Sequence, residues 1–520
     1  MERQMGRLIN NSHDPNGTTR RKIKTGIPGV DDILMGGLPQ PALYLLEGDP
    51  GSGKTTFGLQ FMLEGAKNGE DTLYVTLSES ISDLKSAAKS HGWSLDQILL
   101  HELFSSADFS ENSQAHTFFH AAEIEATQIF KGFEELMMRV QPKRLVIDSL
   151  SDLRLIANNP LLLRRQIKAL KRLASQCDCV TLLLDDMVSR ELSKWEYGMD
   201  VMSVVHGVFQ LKYQVTDYGT ARRSLCVVKM RGSDFHGGFN EMIIARGGLR
   251  VFPHGVFHYD PVLPKFKDRI KTGTSELDKM MGGGFSAGTS NIIMGQAGVG
   301  KSTLGCLFIS DFLKSGYHAS IFLFDETKHS YLKRAKALSM GIDEHLASGN
   351  LTLSKIDPSA ISPGEMIDTI RHAVEKDHSQ LIIIDSLDGY FNTMPSEKYL
   401  LNHMHDLLAY LNSKNVTTIL CTSQHGFIGQ SSTEAQPFPV SYLSDNMILL
   451  RFFEAGGRMR RAIAVVKHRS GTHDHYIHDM AMVDGVGLQI GGPLEKFQGI
   501  LTGNPTYMGP IEELVKLKAE

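Results

Sequence analysis

Short apolar runs alternate with amphipathic helical stretches along this chain. Leu43-Tyr44-Leu45-Leu46 leads into a helical pattern over 55–67, a strand pattern over 72–77 leads into a helical one over 82–91, and Arg144-Leu145-Val146-Ile147 follows a further helix. Strands alternating with amphipathic helices predict an α/β fold in which a parallel-core sheet is flanked by helices and ligands sit at the carboxyl ends of the strands. The pattern then starts again, with Asn291-Ile292-Ile293-Met294 and later Leu381-Ile382-Ile383-Ile384.

Between the opening strand and helix of each series lies a glycine-rich stretch. Gly48-Asp49-Pro50-Gly51-Ser52-Gly53-Lys54-Thr55 and Gly295-Gln296-Ala297-Gly298-Val299-Gly300-Lys301-Ser302 both fit G-x-x-x-x-G-K-[ST], in the strand-to-helix setting that a phosphate loop requires. Glycines let consecutive backbone N–H groups turn toward phosphate oxygens, and the helix N-terminus adds positive potential. Lys54 and Lys301 supply point charges. The hydroxyls of Thr55 and Ser302 are the expected Mg²⁺ ligands, and Thr56 and Thr303 complete the predicted nucleotide-binding stretches. ATP with Mg²⁺ is the implied ligand.

The two series are copies of one domain. An offset of 247 residues carries Lys54 to Lys301, Thr25-Gly26 to Thr272-Gly273, Asp31 to Asp278, Gly36-Gly37 to Gly283-Gly284 and Glu79 to Glu326. Further on the offset is 237 for Asp148 and Asp385, and 238 for Lys229 with Lys467 and Arg231 with Arg469. A net deletion of about ten residues in the second copy accounts for the change, and a period this long means domain duplication rather than a solenoid. The expected organisation is a tail at 1–21, a first domain at 22–252, a linker at 253–268, a second domain at 269–507 and a short tail at 508–520.

Composition changes this picture only at its edges. The 520 residues, 42% hydrophobic and 22% charged, suit two soluble domains each able to bury a core. No run approaches the ~18 apolar residues that would span a membrane, and the polar start lacks the apolar stretch of a secretory signal. Five cysteines, an odd number, fit a reducing cytoplasm better than a disulfide framework. A formal net charge of −4 speaks against a protein whose main business is gripping nucleic acid.

Three further elements carry chemistry. Each copy has an apolar strand ending in an acid, Asp148 and Asp385, which places a carboxylate beside Mg²⁺ and its water. At the tip of the strand beside each phosphate loop stand Ser78-Glu79 and Asp325-Glu326, so Glu79, Asp325 and Glu326 are the candidate catalytic acids, with a general base as the role. Ser80 and Thr327 just beyond them read as helix N-caps. Late in each copy, Lys229-x-Arg231 and Lys467-x-Arg469 place alternating cations on one face of a strand, where they are read as reaching the nucleotide of an adjacent protomer.

With these residues assembled, the chain resembles the KaiC family, tandem RecA-like ATPases of the bacterial clock system, and more closely its non-cyanobacterial members. The resemblance rests on Thr25-Gly26-Ile27-Pro28-Gly29-Val30-Asp31, the phosphate loops, Val75-Thr76-Leu77-Ser78-Glu79, Lys229-x-Arg231-Gly232 and their second-copy equivalents, and it spans roughly 22–507. It implies two RecA-like domains, a hexameric double ring with ATP at subunit interfaces, slow hydrolysis in the first ring, and autokinase and autophosphatase activity in the second. The sequence departs from the family pattern at Ser78, where the first of two acids is expected, and at Ser441-Tyr442, where the family has a Ser-Thr phosphoacceptor pair. Ser441 is therefore the one candidate phosphoacceptor, and Tyr442 overshoots. The short end after Tyr507 argues against a partner of the KaiA type and leaves a KaiB-like partner of the first ring open.

The expected function is thus an ATP-hydrolysing ring protein with serine autophosphorylation in its second domain, acting in signalling or timing. Two alternatives stand beside it: a RecA-like motor driven by single-stranded DNA, and a scaffold that uses bound ATP only to hold a ring together. Net acidity and the lack of an evident aromatic and basic DNA loop count against the motor.

Overall fold

The structure is a computed structural model describing residues 20–103, 121–157, 160–187, 197–215, 220–254, 269–357, 359–391, 400–423, 440–469, 471–483, 487–501 and 504–510. Its contacts divide the chain into two compact units, one on each side of Val256/Phe257.

Each unit is built on a nine-stranded sheet. In the first, the strand Ala42–Gly48 lies between Val180–Asp186 and Gly207–Gln214, parallel to both. Beyond Val180–Asp186 follow Arg144–Asp148, Thr72–Thr76 and Leu99–Glu102, all parallel. Beyond Gly207–Gln214 the direction reverses, and Arg222–Met230, Phe239–Ala245 and Gly248–Phe252 extend the sheet antiparallel. The second unit repeats the plan around Ser290–Gly295, with Thr417–Ser423 on one side and Asn446–Ala455 on the other. The expected parallel core is present in both, as two RecA-like α/β units. The antiparallel extension was not foreseen, because its strands carry exposed positions and no run as uniformly apolar as those of the core.

The alternation of a strand's side chains feeds two helical layers. Every residue of Ala42–Gly48 is buried. Leu43 and Leu45 pack on one face with Leu73, Val75, Leu145 and Ile147, while Tyr44 and Leu46 pack on the other with Phe57, Phe61, Tyr74 and Val146. A strand covered on both faces has no solvent side, so its sequence runs apolar from Ala42 to Leu46 before the buried Glu47. Ser290–Gly295 splits in the same way, Ile293 to one layer and Ile292 and Met294 to the other.

At the end of each central strand the chain turns sharply into a helix, Lys54–Lys67 or Lys301–Lys314. The residue before each helix is a glycine in the left-handed region, Gly53 at φ 106° and Gly300 at φ 119°. A side chain there would carry backbone strain and would also meet Ile244 or Met482, so only glycine fits both constraints.

Candidate functional site

The two phosphate loops have the same architecture. Lys54 Nζ donates to the carbonyls of Gly48 and Asp49 at 2.9 and 3.0 Å, and Lys301 Nζ to those of Gly295 and Gln296 at 2.8 and 3.0 Å. The loop is braced from the neighbouring strand: Tyr213 N donates to Asp49 Oδ2 and Phe452 N to Gln296 Oε1, each at 3.1 Å. Ser52 and Val299 pack inward and are fully buried. At the crown, Gly51 and Gly298 are exposed, with φ of 74° and 77°, and a methyl group on either would meet nothing within 4 Å. The crown is therefore open on the side where a phosphate would lie.

The strands Arg144–Asp148 and Leu381–Asp385 deliver their terminal acids to the start of the loop helix. Asp148 Oδ2 accepts from Thr55 Oγ1 at 3.1 Å and from Tyr74 OH at 2.7 Å. Burial raises its pKa, opposed by those two hydrogen bonds and by Lys54. Asp385 is raised for the same first reason, opposed by a hydrogen bond from Ser302 and by Arg334. Its Oδ2 is buried with no hydrogen-bond partner among the described residues. A buried carboxylate short of compensation beside a hydroxyl is a donor set of hard oxygens that suits Mg²⁺. No cluster of three or more His, Cys, Asp or Glu that could hold a metal ion occurs among the described residues.

The catalytic candidates lie just past the ends of strands Thr72–Thr76 and Ala319–Leu323, which neighbour the acid-tipped strands; two strands separate them from the loop-bearing strand, not the direct adjacency expected from the sequence. Ser80 and Thr327 cap the helices that follow, accepting from Asp83 N and Ser330 N at 3.2 Å each. Glu79 is exposed, and its backbone is pinned through Thr76 Oγ1, which accepts from Glu79 N and donates to its carbonyl. Partial loss of hydration, then the negative charges of Asp148 and Asp83, raise its pKa above the ordinary glutamate value. In the second copy both acids are engaged. Asp325 Oδ2 accepts from Ser386 Oγ at 2.5 Å, and Glu326 Oε1 from Arg334 at 2.7 Å.

The late cations lie elsewhere. Lys229 pairs with Val208, and Arg231 N donates to the carbonyl of His206, so both stand beside the N-terminal half of the central strand and away from their own phosphate loop. The strands end at Met230 and His468, leaving Arg231 and Arg469 just beyond them rather than within a strand. Lys229 and Arg231 nevertheless share a face, since both donate to the end of the helix Tyr197–Val204: Lys229 to Met202 and Val205, Arg231 to Ser203. Lys467 donates to the Ser444 carbonyl and Arg469 to Asp445. Burial and the neighbouring arginine lower the pKa of both lysines. Ser441 falls in the short turn Val440–Leu443, but its side chain lies outside the described residues.

Four contributors escaped sequence reasoning. Asp186 forms an ion pair with Lys54 at 2.8 Å, and its signal was available: the apolar run before Asp185-Asp186 resembles the one before Asp148. Tyr74 lies inside the strand pattern over 72–77 and Ser386 directly follows Asp385, and neither position by itself signals a role at the site. Arg334 has Ala87 as its counterpart at the 247-residue offset, so comparing the two copies gave no reason to notice it.

A family model described as "ATPase: KaiC" matches residues 23–256 and again 270–495. Among curated relatives, the circadian clock oscillator protein KaiC of Acaryochloris marina is 26% identical over 503 residues, covering 96% of this chain and 94% of that protein. The proteins of the same name from Prochlorococcus marinus and Synechococcus elongatus are 26% and 25% identical, covering 93% of this chain and 95% and 92% of their own lengths. With two matched copies, two loops of one geometry and an acid beside each, the chain belongs to the KaiC family of ATPases.

Proposed function

We propose that this protein is an ATP-hydrolysing ring that serves as a signalling or timing regulator, with hydrolysis carried mainly by the first domain through Glu79. The observation that carries it is the contrast at the strand tips: Glu79 faces solvent with a raised pKa, and among the described residues only its backbone is hydrogen-bonded. A carboxylate poised closer to neutrality is a better proton acceptor for an attacking water than one of ordinary pKa. Lys54 and the loop amides bind and orient the triphosphate, Thr55 and Asp148 would hold Mg²⁺, and the ion supplies charge neutralisation at the β- and γ-phosphates. Lys229, Arg231, Lys467 and Arg469, on the far side of the central strand's end, serve an adjacent protomer's nucleotide in a hexamer. Nucleotide would then bridge subunits and favour assembly. In the second domain Ser441 is the acceptor for autophosphorylation, and a KaiB-like protein is a partner of the first ring. The cytoplasm is the compartment, and among the described residues no helix is long and apolar enough to cross a membrane.

ATP turnover measured with and without single-stranded DNA tests the choice between regulator and motor. Turnover indifferent to DNA is expected; strong stimulation would establish the motor. Incubation with Mg-ATP should label Ser441, with the label lost in Ser441→Ala and Lys301→Ala and kept in Tyr442→Phe. Absence of any label would reduce the second domain to a nucleotide-binding or hydrolysing unit.

A further inference from the structure

Arg334 lies on the helix Lys328–Ala337, and its guanidinium spans the short gap to the strand tip, where it pairs with Glu326 at 2.7 Å. Its guanidinium lies over the ring of Tyr331, the guanidinium carbon 5.0 Å from the ring centroid. The other terminal nitrogen, Nη2, is buried and makes no hydrogen bond among the described residues. Asp385 Oδ2 is in the same condition. A buried donor and a buried acceptor, both bare within one charged cluster that includes Glu326 and Lys301, point to a polar ligand that completes them. Arg334 therefore belongs to the same charged cluster as Asp385 and Lys301. The first domain, with Ala87 at the equivalent place, has no such group.

We propose that Arg334 is a positioning residue that restrains ATP hydrolysis in the second domain, holding the Glu326 carboxylate in a charge-assisted pair so that it does not accept the proton of an attacking water. Hydrolysis forms a bond from water oxygen to the γ-phosphorus, breaks the bond to the β–γ bridging oxygen, releases ADP, and needs an acceptor for the water proton. Among the described residues the Glu79 carboxylate has no hydrogen bond or ion pair, which leaves it available for that proton. Glu326 has one oxygen committed to a guanidinium, and such hydrogen bonds to a charged donor are among the stronger ones in proteins. The inference rests on the ATPase function proposed above and makes the second site one that keeps its ATP longer.

The test is ATP turnover of the full chain carrying Glu79→Gln, which leaves the second domain as the main source. Adding Arg334→Gln should raise turnover by at least about tenfold, a fraction of what a freed general base contributes. Adding Glu326→Gln as a third change should remove the gain, and Arg334→Lys, which keeps the charge, should stay near the parent value. A drop or no change with Arg334→Gln, or a gain that survives Glu326→Gln, overturns the proposal. Fluorescent-nucleotide binding in the Lys54→Ala chain checks that the second site remains formed. If the Gln variant loses binding, Arg334→Met, an unbranched apolar side chain of similar reach without the guanidinium, repeats the test, and loss of binding in both makes Arg334 a nucleotide-binding residue and refutes the restraint. Should Glu79→Gln alone leave turnover at the wild-type value, the role of Glu79 fails, while the increment due to Arg334 is still read directly.

Discussion

Glu79 of the first domain has no side-chain hydrogen bond or ion pair among the described residues, whereas its counterpart Glu326 is held by Arg334. Around the phosphate loops the contrast is reversed. Lys54 is paired with Asp186, while Lys301 forms no ion pair among the described residues and rests on loop carbonyls alone. Asp148 is satisfied by Tyr74 and Thr55, and Asp385 keeps a bare buried oxygen. Behind the sites an acid and a hydroxyl have changed places. In the first domain Asp185 accepts from Ser151 at 3.0 Å and forms a bidentate pair with Arg154; in the second, Thr422 donates to Asp388 at 3.0 Å. Duplication thus preserved the loop that binds phosphate, a function of backbone geometry, and let the side chains that set proton transfer drift apart.

That comparison can be broken first at the loops. Lys54→Ala and Lys301→Ala should each weaken ATP binding at their own site by about 100-fold, the loss expected for two hydrogen bonds to a charged group. Titration with a fluorescent nucleotide measures both, and a large loss at one site beside a small one at the other would end the claim that the binding shells are equivalent.

A smaller difference concerns acid stability. His206 is buried, and its Nδ1 accepts from Leu43 N at 3.0 Å. Burial, then Lys171, Arg20 and Arg231, lower its pKa to about 4. Because the unfolded imidazole binds a proton near pH 6.5, the neutral ring stabilises the fold above that value, and this contribution is lost as pH falls toward 4. The second domain has Ser444 in this place, and its own buried histidine is His468, whose pKa is lowered by burial, Arg269 and His473. His206→Gln should flatten the acid loss of the first domain by about 1–3 kcal/mol, read as the change in thermal midpoint between pH 7 and pH 5. An unchanged slope would mean that His206 does not titrate as described.

The smallest effect is expected at Asp186. Its carboxylate competes with phosphate for Lys54, so Asp186→Asn should tighten nucleotide binding at the first site two- to fivefold, in keeping with about 0.3–1 kcal/mol for a half-exposed pair. Weaker binding would show that Asp186 orients the lysine instead of competing for it.

The parallel core of each sheet and the phosphate-loop motifs were legible in the sequence because both are local, whereas the antiparallel extension was not. A phosphate loop is eight consecutive residues, Asp148 and Asp385 end uniformly apolar runs, and Ser80 and Thr327 cap helices whose free N–H groups lie three positions ahead. What the sequence hid depends on the fold bringing distant positions together. Tyr74 reaches Asp148 across two paired strands, and Lys229 finds the carbonyls of Met202 and Val205, 27 and 24 residues away. Arg334 was hidden for a different reason: on an exposed helix a lone arginine looks like any solvated cation until its partner is known.

The account turns on Glu79, and the most direct measurement is phosphate release by the full chain at saturating Mg-ATP, wild type against Glu79→Gln, followed across pH. The wild type should lose turnover as pH falls, with a midpoint above the ordinary glutamate pKa because the base must be ionised to accept a proton. Glu79→Gln should lower turnover by about 10²–10⁴-fold, abolish that limb and leave nucleotide binding intact. Turnover and pH profile unchanged by the substitution would contradict the assignment and place hydrolysis elsewhere in the chain.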